Sequence, residues 1–532
     1  MGVLGLTPFL QKVCPSVLQH LPDRLQSLAG KRVILDGTLL TQRVHYIPIS
    51  HPYRHVLGWY RIVRELQDAG VTAVCVFDGK ERNIAKAKET TKRRETRKLE
   101  GARENLERDR LDRLRSLGNI LHEFSTLDRT DRARVSQIFQ NSLLVETPIE
   151  ELFPATLPAR SREETPPREA VGRAPQPPSL ASEAVALPFV RPTHSPRRPL
   201  VPTSYPVRAR NNEDLTDSFI ALYHDYRNSI PELASIPTPS SPRATVDAPE
   251  EQDARAEYMM SKNQYQLTLD EGVLWDCFRA EGPHDDMEAS LRSLYDRSSV
   301  MSESYERRTK PPTSQTYIEC QQILGAMGVR CINTEGPYEA EAVAASIVLH
   351  GFGDYVGSED MDVLVYNAPL LRNISNRTGP LTLMSAPDIH NALSLDRASF
   401  VDFCILLGTD FSQRIKHVGP MRALKFIREY GTIENIIAAQ PKYPPRIAVD
   451  DYLEEVKVAR SVFATLPPVP DAAKNVQVHG DEEQVMKLLA DFDLERMIGF
   501  DWDASGALDG NFFGDNPTGH GDADRTTYGL YV

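Results

Sequence analysis

Two short apolar runs, KRVILDG at residues 31–37 and VTAVCVFDG at 71–79, do most to limit what this chain can fold into. Each is a continuous string of β-branched and other apolar residues, and each ends in an aspartate followed by glycine, Asp36-Gly37 and Asp78-Gly79. Strands that are apolar throughout are buried on both faces, the mark of a parallel sheet covered by helices. Between them VLGWYRIVRELQDAG has helical apolar spacing and closes at Gly70. In open sheets of this kind the working site lies beyond the carboxyl ends of the strands, where Asp36 and Asp78 fall. One acid there is as readily a helix cap or turn residue. A repeat of it is a pattern.

A second stretch, Gly336 to Tyr366, adds four more acids. Pro337 suits the first turn of a helix, and the Ala-rich, breaker-free run YEAEAVAASIVL continues it. Glu339 and Glu341 then fall in the first turn, where the helix dipole stabilises carboxylates. The following DYVGSEDMDVLVY reads as strand, acidic loop, strand. Residues two apart in an extended segment point the same way, so Asp360 and Asp362 aim at one point past a strand end. Two solvated acidic loops are the plainer alternative. Against it, carboxylates gathered so closely repel one another unless a cation lies between them, and hard divalent ions take oxygen ligands.

Order is uneven along the 532 residues. The spacing predicts short helices over LTPFLQKV and PSVLQHL, and a long charged helix from Lys80 to Arg115, with i,i+4 pairing and an excess of bases. Residues from about 145 to 250 are rich in Pro, Ser and Arg, a composition that cannot bury enough apolar area to offset chain entropy. A helix near LTDSFIALYHDY interrupts them, and an apolar cluster spans Val273 to Phe278. Order resumes with SQTYIECQQILGAMGV as helix, RCINTEG as strand and SFVDFCILLGTDF as an apolar helix ending at Gly408 and Asp410. The string IKHVGPMRALKFIREYGTIENII reads as helix–turn–helix. There Gly419 and Pro420 turn into a helix bearing Arg422 and Lys425, so that backbone N–H groups face a phosphate. Five regions result: 1–120, a sheet region with a basic helix; 121–305, a largely disordered spacer; 306–440, a second sheet region with the helix–turn–helix; 441–505, a helical extension; and 506–532, a flexible tail.

The formal net charge of −13 excludes a uniformly basic nucleic-acid binder but not a local basic face. Six cysteines without a CxxC spacing read as reduced thiols of an intracellular protein. No apolar run approaches about 20 residues, so no membrane span is expected. The start MGVLGL carries no lipidation, secretory or transit signal.

Taken together, MGVLGL, VILDG, VCVFDGK, GPYEAEA, GSEDMDVLVY and FCILLGTDF followed by VGPMRALKFI occur in the order found in one family. The chain resembles the flap-endonuclease/XPG type of structure-specific 5′-nucleases over roughly residues 1–100 and 310–440. The resemblance implies an α/β, PIN-like fold: a central, mostly parallel sheet flanked by helices, an H2TH-like DNA-binding element, and here a long disordered insertion. It carries the family's metal-binding acids onto Asp36, Asp78, Glu339, Glu341, Asp360, Asp362 and Asp410. Tyr60 and Arg61 match the family's Tyr-Arg beside the DNA phosphates, with Arg61 and Lys86 in catalytic roles. Lys86, or else Lys80 or Arg82, stands at the base of the family's arch, and Gly2 lies near the substrate. Gly419, Arg422 and Lys425 take the DNA-binding turn. Three departures stand out. The family's arginine past the first strand has only Arg43 and Arg54 at altered spacing, His417 replaces the first glycine of the DNA-binding turn, and the spacer is long.

What the resemblance implies is hydrolysis of phosphodiester bonds in branched, flap or 5′-ended DNA with two Mg²⁺ ions about 4 Å apart, Mn²⁺ substituting. The expected protein is a nuclear monomer, with the mitochondrion left open, and protein partners reached through 121–305. Rival readings are an inactive scaffold of the same fold recruiting through the spacer, and a nuclease directed at RNA.

Overall fold

The structure is a computed structural model that describes residues 2–47, 49, 51–81, 86–142, 212–237, 249–281, 285–376, 379–474 and 479–499. The chain divides into two compact units. One comprises Met1–Asp109, Ile236–Leu267 and Asp296–Val532, and the other Arg110–Ser235 with Thr268–Tyr295.

The first unit is built on a seven-stranded sheet. Its strands are β1 (Gln19–Leu21), β2 (Arg32–Asp36), β3 (Thr72–Phe77), β4 (Arg330–Asn333), β5 (Tyr355–Gly357), β6 (Leu370–Arg372) and β7 (Leu381–Met384), in the order β1-β7-β6-β5-β2-β3-β4. The five strands from β6 to β4 run parallel, and β7 pairs antiparallel with both β6 and β1. This is the mostly parallel sheet expected, and β2 and β3 are the two runs that end in Asp-Gly.

Alternation along β2 and β3 builds a core on each face. Val33, Leu35, Cys75 and Phe77 point into one, with Trp59, Leu66, Ile323 and Val485; Ile34, Val74 and Val76 point into the other, with Leu10, Val343, Phe403 and Phe463. Burying each such side chain contributes about 1.5–3 kcal/mol. Trp59 is fully buried and still satisfied, its indole N–H donating to Thr41 Oγ1 at 2.9 Å. A side chain at position 37 would be forced against Cys75 Sγ and the Phe77 ring at 2.7–2.8 Å, which explains glycine after Asp36. All six cysteines are free, and among the described residues no helix is long and apolar enough to cross a membrane.

Several local expectations need correction. PSVLQHL is a 3₁₀ turn, Pro15–Val17, followed by β1 rather than a second helix. The polar stretch after Asp36 is the helix Gly37–His45. DVLVY is no strand: Asp362–Val365 is a short helix, buried at all four residues, between β5 and β6.

The largest correction concerns 121–305, expected to be largely disordered. Residues 143–211 lie outside the described residues, but helices cover Arg129–Ser142, Asn212–Ser235, Pro249–Glu281 and Asp285–Thr309. In the second unit Leu215, Phe219, Tyr223, Tyr226, Ile230 and Leu233 are all buried along one stripe of the Asn212–Ser235 helix. Phe278 stacks within 4.6 Å of Phe219 and 4.9 Å of Phe139, ring centre to ring centre. Beside this aromatic core Arg113 grips the fully buried Glu271 with two hydrogen bonds of 2.7 and 2.9 Å. The expected tail at 506–532 lies outside the described residues, as does Arg82.

Candidate active site

The acids expected to act together come from five separate segments, four at the carboxyl ends of parallel strands and Asp410 after the helix Arg397–Leu407. Asp36 ends β2 and is the N-cap of Gly37–His45, accepting the Leu39 N–H at 3.0 Å. Its other oxygen accepts the Ser358 hydroxyl at 2.9 Å, tying the end of β2 to the loop after β5. Asp78 follows β3, and its carboxylate accepts the Ala340 N–H at 2.8 Å. Glu339 is the N-cap residue of Ala340–Leu349 and Glu341 lies in its first turn, as the sequence implied. Asp360 and Asp362 do not share an extended segment. Asp362 opens a short helix, and its N–H donates to Asp360 Oδ1 at 2.8 Å.

At the centre sits Lys86. Its ammonium lies 2.6 Å from Glu339, 2.9 Å from Asp410 and 3.8 Å from Glu341. The Phe411 ring packs beside it at 5.2 Å. Burial disfavours the ammonium, but Glu341, Asp410 and Glu339 outweigh that and hold its pKa well above the ordinary lysine value. The acids rise as well, which for a carboxyl disfavours the charged form. Burial, with the charges of Asp78 and Asp360, pushes Asp36 up to about 7 against the bonds from Leu39 and Ser358. Burial likewise raises Glu341 and Asp362 well above the carboxylate range, and raises Glu339.

Asp362 is 1% exposed, and both its oxygens are buried with no hydrogen-bond partner among the described residues. A buried carboxylate left so is costly unless a cation answers it. The donor set, all carboxylate oxygen, has the chemistry of a hard divalent ion site. As the side chains stand, no three His, Cys, Asp or Glu among the described residues are arranged to grip one ion. The positive charge among them is Lys86.

Gly2 reaches into the same cluster. It has φ +77°, and a Cβ there would fall 2.0 Å from Asp360 Oδ1 and 2.5 Å from Asp362 Oδ1. Only glycine permits both that backbone and that approach.

Other expected residues lie elsewhere. Lys80 is exposed in the loop after Asp78. Arg61, expected in a catalytic role, is nearly buried and donates to the Met497 and Ile498 carbonyls at 2.9 and 3.4 Å. Those bonds tie the helix Arg54–Asp68 to the C-terminal segment, which is a structural task. Gly419 is the extended N-cap of Pro420–Tyr430, which turns at Gly431 into Ile433–Ala439. His417 takes the left-handed φ of +65° at the position where glycine was missed. Arg422 and Lys425 are exposed on that helix; Arg422 donates to the His417 carbonyl and covers the Tyr443 ring at 4.8 Å.

The sequence reading passed over Glu359. It is buried, 3.0 Å from Arg372 Nε and 3.5 Å from Arg43, and it accepts the Asn373 N–H at 2.7 Å. It thereby anchors the loop that carries Asp360 and Asp362. The acid was visible in SEDMD, but only tertiary structure shows two arginines turned toward it.

Parts of the chain are similar to known proteins. The XPG I-region family matches residues 328–410, a span that holds Glu339, Glu341, Asp360, Asp362 and Asp410. The flap endonuclease 1 of Coprinopsis cinerea is 41% identical over 137 residues, 25% of this chain and 30% of the relative. That of Neurospora crassa is 39% identical over 168 residues, 30% of this chain and 41% of the relative. The matched part thus spans well under half the length of these curated relatives. Among solved structures, the catalytic core of Rad2 in complex with DNA substrate is 13% identical, covering 95% of this chain and 97% of that one, with a TM-score of 0.43. With the I-region matched over residues 328–410 and flap endonucleases near 40% identical over 25–30% of the chain, this part of the chain is similar to the XPG/flap-endonuclease family.

Proposed function

We propose that this protein is a metal-dependent, structure-specific 5′-nuclease that hydrolyses phosphodiester bonds in branched, flap or 5′-ended DNA during repair or replication. The observation that carries the reading is the gathering of Asp78, Glu339, Glu341, Asp360, Asp362 and Asp410 around one site with Lys86 among them. Glu341, Asp360 and Asp78 would hold one Mg²⁺ ion and Asp362 with Asp410 complete a second site, Mn²⁺ substituting. Such ions, when bound, activate the attacking water and stabilise the leaving oxygen.

The remaining work belongs to the chain. Asp36, joined to Ser358, keeps the ends of β2 and β5 in register so that the acids of both meet. Lys86 supplies a side-chain cation placed to offset charge on a phosphate entering among the carboxylates. The turn at Gly419 presents the N-terminus of Pro420–Tyr430, with Arg422 and Lys425 exposed beside it, to the phosphates of a duplex. The long insertion over residues 121–305 is where selection of junctions and protein partners would arise.

The test is cleavage of a 5′-labelled DNA flap by purified protein with Mg²⁺ and with EDTA, beside Asp360→Ala. Metal-dependent cutting near the junction, lost in the variant, is the expected result. Tight binding without cutting, for both proteins, would replace the nuclease by a DNA-binding scaffold.

A further inference from the structure

The positive charge inside the acid cluster is not neutral in its placement. Lys86 Nζ bridges Glu339 Oε1 and Asp410 Oδ2, two carboxylates from distant segments, at 2.6 and 2.9 Å. The side chain is about one-fifth exposed and its ammonium lies over the Phe411 ring, 5.2 Å from its centre. At this end of the cluster charge is compensated. At the other, Asp362 presents two buried oxygens with no hydrogen-bond partner among the described residues. One ammonium therefore balances one side of the site and leaves the other open.

Ions held by the acid cluster would draw on Glu339 and on Asp410, whose oxygens Lys86 now holds, and cations crowded into a largely buried site repel. We propose that Lys86 is the resident counter-ion of the metal-free site, that its ammonium and a divalent ion compete for Glu339 and Asp410, and that ion binding expels it toward the incoming phosphate. The inference rests on the nuclease reading and deepens it: one lysine serves as plug before the metal arrives and as phosphate contact afterwards. Lys86 directly precedes the helix Ala87–Thr126, so the exchange also frees the start of that helix from the acids.

This arrangement makes an unusual demand on a single substitution. Removing the ammonium should tighten metal binding while slowing cleavage, whereas loss of a merely structural residue weakens both. The probe is Mn²⁺ itself, titrated calorimetrically into the full-length protein, wild type and Lys86→Met, the latter keeping an apolar stem beside Phe411. The expected result is a Mn²⁺ dissociation constant about tenfold lower in K86M, with cleavage reduced at least tenfold (1.4 kcal/mol per factor of ten). Equal or weaker Mn²⁺ binding by K86M overturns the proposal.

A second measurement uses the wild type alone and stays decisive should K86M fold poorly. Lysine acetylation by a water-soluble ester, read by peptide mass spectrometry, should be several-fold faster at Lys86 with Mg²⁺ than with EDTA. Unchanged labelling of Lys86 overturns the exchange. Wild-type protein that binds no Mn²⁺ at all would instead overturn the nuclease reading, and the exchange with it. Mn²⁺ binding that Lys86 does not influence would leave the nuclease reading standing.

Discussion

Asp78 accepts the backbone N–H of Ala340 at 2.8 Å, so the acid that ends one strand also caps the helix that carries Glu341. Cap and charge need not be rivals here. A carboxylate at a helix N-terminus satisfies an orphan donor and meets the positive end of the dipole, and the same bond brings Asp78 beside the other acids. Two substitutions separate the tasks. Asp78→Asn keeps an oxygen able to accept from Ala340 and loses only the charge, whereas Asp78→Ala loses both. The alanine variant should be less stable than the asparagine variant by about 1 kcal/mol in urea unfolding, and both should lose metal-dependent cleavage. Equal stabilities would remove the cap from the account, and a fully active Asp78→Asn would remove the charge.

Glu359 offers a second separation, between holding a metal and holding what holds it. Its carboxylate spends its bonds on Arg43, Arg372 and the Asn373 N–H, yet it is the residue before Asp360. Outer partners of this kind typically cost 10–100-fold in metal affinity or activity when changed. Glu359→Ala should fall in that range and should require more Mn²⁺ for half-maximal cleavage. Glu359→Gln, which can still accept from Asn373, should recover part of the loss. Wild-type metal dependence in Glu359→Ala would show that the loop keeps its shape without the anchor.

What the sequence made legible was the sheet and the acids, because both are written locally. A buried parallel strand needs an unbroken apolar run, and the acids stand at fixed places after it, so Asp36, Asp78 and Glu341 fell where expected. Chemistry that depends on a distant partner was not legible. Nothing near Arg61 in sequence foretells the Met497 carbonyl, and nothing near Glu359 foretells Arg43. DVLVY was misread as strand because four apolar residues have no period of their own, and burial alone does not distinguish helix from strand. In the insertion the signal was present but diluted. Leu215, Phe219, Tyr223, Tyr226, Ile230 and Leu233 recur every three or four residues, a helical stripe set between proline-rich flanks that dominate the composition.

Arg460 is the main electrostatic tie of the C-terminal helices. It meets the buried Asp402 through two nitrogens at 2.6 and 2.7 Å and Glu434 at 2.6 and 2.9 Å, joining Val449–Ala464 to Arg397–Leu407 and to the second helix of the helix–turn–helix. The two acids are not equal. Glu434 is nearly half exposed, so its share of the pair is small. Asp402 is 5% exposed and would be left buried without its cation. Arg460→Leu should therefore cost roughly 2–3 kcal/mol, less than the 3–5 of a fully buried pair because Arg460 is itself a third exposed. Glu434→Gln should cost below about 0.5 kcal/mol. Cleavage per folded molecule should survive both changes at low temperature. Similar costs for the two variants would contradict the assignment.

The last prediction concerns acid. His45 lies 2.9 Å from the Lys310 carbonyl through Nε2, while burial, aided by Arg54 and His55, lowers its pKa from 6.5 to about 4. Between those values the unfolded chain binds a proton at this residue that the folded protein refuses, so stability rises with pH across the window and is lost as pH falls through it. Asp36 acts in the opposite sense: with its folded value near 7 it is protonated in the native state where the unfolded chain has ionised, and the stability it contributes declines as pH rises from about 4 to 7. The two slopes oppose each other in the wild type, so a single stability curve cannot assign either. Comparison of wild type with His45→Asn in EDTA isolates the histidine, since everything else is shared. Measured by urea unfolding at half-unit steps, the variant should lose less stability than wild type between pH 6.5 and 4. Parallel curves would mean that His45 accepts its proton as easily folded as unfolded, and that its burial carries no electrostatic cost.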